Sequence, residues 1–220
     1  MDVKQNSVQK KRARKINQEL KKLFPEASIV LNYSNNWELL VAVILSAQCT
    51  DIMVNKVTEN LFQKYKILDD YVNASASRRT REEFEKDIKS TGFFRNKAKN
   101  ILAAAKIIKE KFNGKIPNTM EEMLTLPGVA RKTANVVLGN AYGIVEGIAI
   151  DTHVMRLSLA FGLTKHTNPE KIEQDLMALL PQREWFNFTY RMIEYGRQYY
   201  PAHKLKSKDH PLGKYVLFLI

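Results

Sequence analysis

Lys132 and Asp151 are the residues of this chain whose types and surroundings could make and break bonds. Lys132 stands in the run "LPGVARKTA", where Pro127 and Gly128 make a tight turn between two expected helices. Gly128 can take a positive φ without steric cost, and the turn leaves backbone N–H groups at the next helix start without an intrahelical partner. Such a helix start attracts anions, and Arg131 and Lys132 add two positive charges. The pattern is a phosphate clamp indifferent to base sequence; an ordinary helical hairpin with proline in its turn would read the same way. Lys132 lies where the helix dipole disfavours a cation, among Thr133, Ala134, Val136 and Val137. Partly desolvated there, its amine could act as an uncharged nucleophile; the plainer alternative is a surface lysine on a phosphate. Nineteen residues on, Asp151 follows the apolar Ala149 and Ile150 and precedes a helix. Its plainest role is an N-cap. A functional carboxylate there could stabilise a developing cation or take a proton from an amine.

The elements that must position this pair read as helix after helix. Ser7 is expected to cap a basic N-terminal helix on which Ile16, Leu20, Leu23 and Phe24 recur before Pro25. Asn35 and Asn36 precede the apolar run Trp37 to Leu45, expected as a buried helix because no second strand-like segment offers a partner. Val54, Val57, Leu61 and Phe62 mark an amphipathic face, with Thr50 and Asp51 at its start. Thr80 with Glu83, and Thr119 with Glu122, have capping-box spacing. Gly92, Gly114, Gly143 and Gly162 are expected helix ends, Asn168 with Pro169 another start, and a last helix spans about Glu184 to Tyr200.

Composition narrows the partner. The net charge is +12 with a pI near 9.6, which favours a polyanion such as nucleic acid or an anionic membrane surface. Between Met1 and Lys22 eight basic residues face two acidic ones. That charge is either a solvated helix face or a phosphate contact. The longest apolar stretch, Leu39 to Leu45, is too short to span a bilayer. Without an apolar signal core, the expected location is intracellular, in the cytoplasm or nucleoid. A single cysteine, Cys49, rules out an internal disulfide and any metal site built from several thiolates.

The hairpin "LPGVARKTA" followed by "DTHVMR" resembles the helix–hairpin–helix DNA glycosylase superfamily, and within it the endonuclease III branch. "LSAQCTDIMVNKVT", "GFFRNKAKNI" and "EYGRQYY" match the same branch in type and order, so the resemblance spans roughly residues 29–200. It implies an all-α, two-lobed fold with the DNA groove and active site between lobes. One lobe would be a six-helix barrel of residues 29–143, the other residues 1–28 with 144–220. The implied activity is that of a base-excision repair glycosylase with apurinic/apyrimidinic (AP) lyase activity on damaged, oxidised pyrimidines. Lys132 would be the Schiff-base lysine and Asp151 the catalytic aspartate. Gln48 resembles the residue that fills the space of the flipped base; at a helix end it could equally be a cap. Phe93 or Phe94 resembles the wedge in the opposite strand, though either ring could be core. Arg95 and Lys97 suit phosphates, as do Gly128, Val129 and Arg131 of the hairpin. The implied partner is double-stranded DNA with damaged bases or abasic sites, bound by a monomer, with a monovalent cation a candidate at the hairpin.

The chain departs from its relatives at the C-terminus. Most of them carry four cysteines for a [4Fe–4S] cluster; the corresponding positions here are Tyr200, Ser207, His210 and Val216. No cluster is therefore expected, and no replacement metal at His203, Asp209 and His210. Val216, Phe218, Leu219 and Ile220 are expected to pack where the cluster loop would be. Two other readings share the basic charge and hairpin. Mismatch-directed glycosylases resembling this fold lack the lysine or carry tyrosine there, and a catalytically silent DNA-binding module needs neither Lys132 nor Asp151.

Overall fold

The computed structural model describes residues 3–201 and 209–217, the side chains of residues 3–6 excepted. All regular structure among them is helical: α1 (Val3–Leu23), α2 (Asn36–Leu45), α3 (Asp51–Lys64), α4 (Leu68–Ala74), α5 (Arg78–Asp87), α6 (Phe94–Lys111), α7 (Met120–Leu124), α8 (Arg131–Tyr142), α9 (Thr152–Ala160), α10 (Pro169–Leu179) and α11 (Gln182–Gln198), with short 3-10 turns at Lys89–Thr91 and Gly213–Tyr215. The helices gather into two compact units, Val30–Ile144, and Met1–Ile29 with Val145–Ile220.

In the first unit, α2 is apolar from Leu39 onward and Trp37 to Leu45 are all buried, as such a helix must be, with the Glu38 carboxylate accepting from Ser34 N–H. The Asn35 side chain starts it by accepting a hydrogen bond from Glu38 N–H at 3.0 Å. α3 buries Val54, Val57, Thr58 and Leu61 along one face, behind a Thr50 cap. α6 buries Ala98, Ile101, Leu102, Ala105 and Ile108 and packs on α4. α7 and α8 are the two arms of the hairpin, and α8 packs on α2 through a face that includes Ala134, Val137 and Leu138.

Three local expectations are corrected. α5 starts one turn early: Ser77 accepts from Thr80 N–H and Thr80 accepts in return, so the pair Thr80–Glu83 is interior to the helix. α1 begins at Val3, so Ser7 is not its cap. α4 has no counterpart among the expected helices. The Asp70 carboxylate starts it by accepting from Lys66 and Ile67 N–H at 2.8 and 3.1 Å, and the first unit thus holds seven helices, α2 to α8.

The second unit is built on α9, α10 and α11 with α1 laid across them. Ala13, Ile16 and Leu20 of α1 are fully buried among Ile172, Leu176, Phe188 and Met192. Burying about 25 cal/mol per Å² of such surface is what holds α1 down. A polar knot adds direction: Asn17 and Arg191 both bond Glu184, at 3.1 and 3.0 Å. Lys10, Lys11, Arg14 and Lys15 stay on the exposed face.

The C-terminal segment is fastened to the same core. Tyr200, Leu212 and Val216 are buried, and Leu217 N–H donates to Ala160 O at 2.8 Å. The Tyr195 hydroxyl pairs with His210 Nδ1 and accepts from Leu212 N–H. His203, Ser207, Phe218, Leu219 and Ile220 lie outside the described residues, so the expected packing of the last three is not described.

Candidate active site

The hairpin turn is set by one glycine and one close approach. Gly128 has φ 80°, and a methyl group there would lie 2.9 Å from Asn100 Cβ on α6. Only glycine seats the turn this tightly against α6. Val129 N–H closes the turn onto Leu126 O at 3.1 Å, and its side chain is buried. The Val129 amide and side chain thus serve the turn, and its carbonyl is the group left for a ligand. Ala130, the N-cap of α8, has no side-chain oxygen to cap the helix start. Arg131 is half-buried at the first position of α8.

Lys132, the second residue of α8, is exposed. The expected partial desolvation is not present in the protein alone. The reason is helical geometry: Ala134, Val137 and Leu138 turn to the core, and Lys132 lies off that face. An exposed lysine one turn from a glycine hairpin is placed to meet a ligand rather than to fill the core.

Two loops of the same unit carry the expected strand-opening residues. Gln48 is exposed with φ 53°, and Phe93 is 68% exposed with φ 46°. A left-handed backbone at a residue other than glycine costs of order 1–3 kcal/mol and persists only where the surroundings over-determine it. Among the described residues only Asn113 shares it outside the glycines. Gln48 does not cap α2, whose C-cap is Ser46, and Phe93 rather than Phe94 is the projecting ring. Phe94 is half-buried, with the exposed Arg95 guanidinium 5.5 Å from its ring centre, a cation–π distance.

Lys97 is corrected. It is only 5% exposed, and its ammonium donates to Leu45 O at 2.8 Å and Thr91 O at 2.7 Å. One helical turn separates it from Phe93, so its side chain folds back under the loop instead of reaching a phosphate. Burial pushes its pKa down, with Cys49 nearby acting the other way.

Asp151 belongs to the other unit. It is half-buried, and its carboxylate caps α9 by accepting from Val154 N–H at 2.7 Å. Arg156, one turn along α9, donates to Tyr200 O at 2.6 Å and lies 3.2 Å from His153 Nδ1. Burial lowers the Arg156 pKa, while the negative charge of Asp151 works against that shift. Gly196 makes room for this group, since a Cβ there would meet the His153 ring. Asn100 and Arg156 are absent from the residues expected at the site; no local signal marks either.

The residues do not fit an iron–sulfur cluster. Tyr200 and Val216 are packed in the apolar core, His210 is held against Tyr195 and Tyr200, and none of these offers a thiolate. Among the described residues no group of three or more His, Cys, Asp or Glu could hold a metal, and no helix is long and apolar enough to cross a membrane.

Endonuclease III of Synechocystis sp. is 56% identical to this chain over 195 residues, 89% of this chain and 87% of that protein. Two solved structures superpose with TM-scores of 0.88 at 42% identity, each covering 94% of this chain and 95% of the other. One is a non-covalent endonuclease III–DNA complex, the other a trapped endonuclease III–DNA covalent intermediate in an estranged-adenine complex. Residues 41–182 match the family described as HhH-GPD superfamily base excision DNA repair protein. With a helical hairpin at Gly128 and a fold shared along almost its whole length, the chain belongs to the HhH-GPD superfamily of base-excision DNA repair proteins.

Proposed function

We propose that the protein excises damaged, oxidised pyrimidines from duplex DNA and then cleaves the strand, with Lys132 as nucleophile and Asp151 as the catalytic aspartate. The observation that carries this reading is an exposed lysine one turn after the glycine hairpin, in a chain 56% identical to an endonuclease III. The hairpin holds the backbone without reading bases, because helix-start amides and Arg131 address phosphate oxygens. The damaged nucleotide must leave the stack before its C1′ can be attacked. Gln48 fills the space left behind, and Phe93 enters the opposite strand.

Chemistry then follows from the two side chains. Lys132 attacks through its neutral amine. Its Nζ bonds to C1′ while the C1′–N bond to the base breaks, and the base leaves with that electron pair and takes up a proton. Asp151 stabilises the cationic sugar as charge develops. Opening of the sugar ring gives an imine between Nζ and C1′. Loss of a C2′ proton expels the 3′ phosphate by β-elimination, and water then releases the lysine.

Incision of a duplex carrying one oxidised pyrimidine tests this. The expected products are the free base, a 5′-phosphate end and an unsaturated aldehyde on the 3′ end. A free base with an intact abasic strand would show a glycosylase that works through water and would remove the lyase step.

A further inference from the structure

We propose that Lys97 is a positioning residue whose buried ammonium ties together the loops carrying Gln48 and Phe93, so that the two enter a duplex as one rigid pair. The inference rests on the roles proposed above for those two residues. Leu45 is the last residue of α2, and its carbonyl is one of the helix-end acceptors with no intrahelical donor. An ammonium there also faces the negative end of the helix dipole. Gln48 follows three residues later. Thr91, the other acceptor, precedes Phe93 by two residues, and it is itself pinned by its hydroxyl bond to Ile88 O at 2.8 Å. One side chain therefore fixes the chain immediately before each of the two left-handed, exposed residues.

Packing does not hold the Phe93 loop at Gly92, where a Cβ would meet no atom within 4 Å. Both acceptors of the Lys97 ammonium are neutral carbonyls. A buried cation held that way is costly compared with an apolar side chain, which makes it a device for geometry rather than for stability. Its neighbours Arg95, Asn96 and Lys99 are all exposed, so one lysine of a basic stretch has been turned inward.

Lys97→Met keeps the length of the side chain and removes the charge. Two ratios read the effect: affinity for a duplex with one abasic-site analogue over undamaged duplex at fixed salt, and lyase rate on an abasic site in duplex over single-stranded DNA. Both ratios should fall at least tenfold, and Lys97→Arg should recover part of the loss. A purely structural lysine would lower both substrates alike; unchanged ratios overturn the proposal. Should Lys97→Met fail to fold, hydrogen exchange in the unaltered protein decides: residues 46–50 and 91–95 should open at a common rate, and independent opening refutes the tie. Gln48→Ala and Phe93→Ala separate the two levels. If neither loses abasic-site preference, the reading of the loops fails; if both lose it while Lys97→Met keeps it, the tie alone fails.

Discussion

Replacing Gly128 by alanine tests whether the hairpin is seated as tightly as its geometry requires. Two penalties apply at once. A φ of 80° is left-handed for an L residue, at about 1–2 kcal/mol. The new methyl group would also lie 2.9 Å from Asn100 Cβ, 3.0 Å from its Nδ2 and 3.2 Å from its Cγ. Overpacking of that kind costs about 1–3 kcal/mol. For a chain of this size each kcal/mol lowers Tm by about 2–4 °C, so Gly128→Ala should melt at least about 4 °C below the parent. The nearest atom is a Cβ fixed to the α6 backbone, and no rotamer change removes it. Asn100→Ala should therefore give little rescue in the double variant. Asn100→Gly should recover much of the steric part, at about 0.8–1 kcal/mol for glycine inside a helix. Thermal unfolding followed by circular dichroism reads all four proteins. A Gly128→Ala protein within about 1 °C of the parent, or full rescue by Asn100→Ala, would refute the close seating of the turn.

Three further outcomes follow from the same structure. Asp151→Asn should keep Tm within about 2 °C, because asparagine caps a helix as well as aspartate, yet lower base excision by about 10²–10³-fold; equal loss of stability and activity would return Asp151 to a capping role. Lys11 and Lys15 are exposed on α1, and replacing both by glutamine should flatten the log–log salt slope of DNA binding by about 0.9 for each phosphate no longer neutralised; an unchanged slope places α1 away from DNA. Burial would raise the Glu184 pKa, but hydrogen bonds from Asn17 and Arg191 outweigh it and hold it below 4.5. A depressed carboxylate stabilises fully above its unfolded value and loses that contribution as pH falls, so Glu184→Gln should be less stable at neutral pH and show a shallower loss below about pH 4.5; parallel unfolding curves would contradict this.

Helix starts and ends that rest on one side chain were legible in the sequence. Asn35, Thr50, Thr119, Asp151 and Asn168 all cap by accepting the N–H three residues on, and Gly143 ends α8. Where two candidates overlapped, spacing could not choose. Ser77–Thr80 and Thr80–Glu83 share an offset of three, and the first starts α5 because Thr80 also bonds Ala74 O at 3.0 Å. α4 escaped because its start rests on Asp70 reaching backward rather than on an oxygen at its N-cap. The site residues divide along the same line. Gly128 and Lys132 announce themselves in the run "LPGVARKTA", whereas Lys97 reads as one more basic residue in "FFRNKAKN". Its acceptor Leu45 O is 52 residues away, and only the packing of α2 near α6 makes the inward rotamer possible. Asn100 matters for the same non-local reason, because Gly128 rests on it.

Borohydride trapping tests the central claim most directly. Duplex DNA with one defined oxidised pyrimidine is incubated with protein and borohydride, and the cross-linked peptide is located by mass spectrometry. The adduct should fall on Lys132 and disappear in Lys132→Gln, while that variant still binds the abasic-site analogue through the unchanged Gly128 turn. An adduct on any other lysine, or undiminished trapping by Lys132→Gln, would contradict the assignment of the nucleophile.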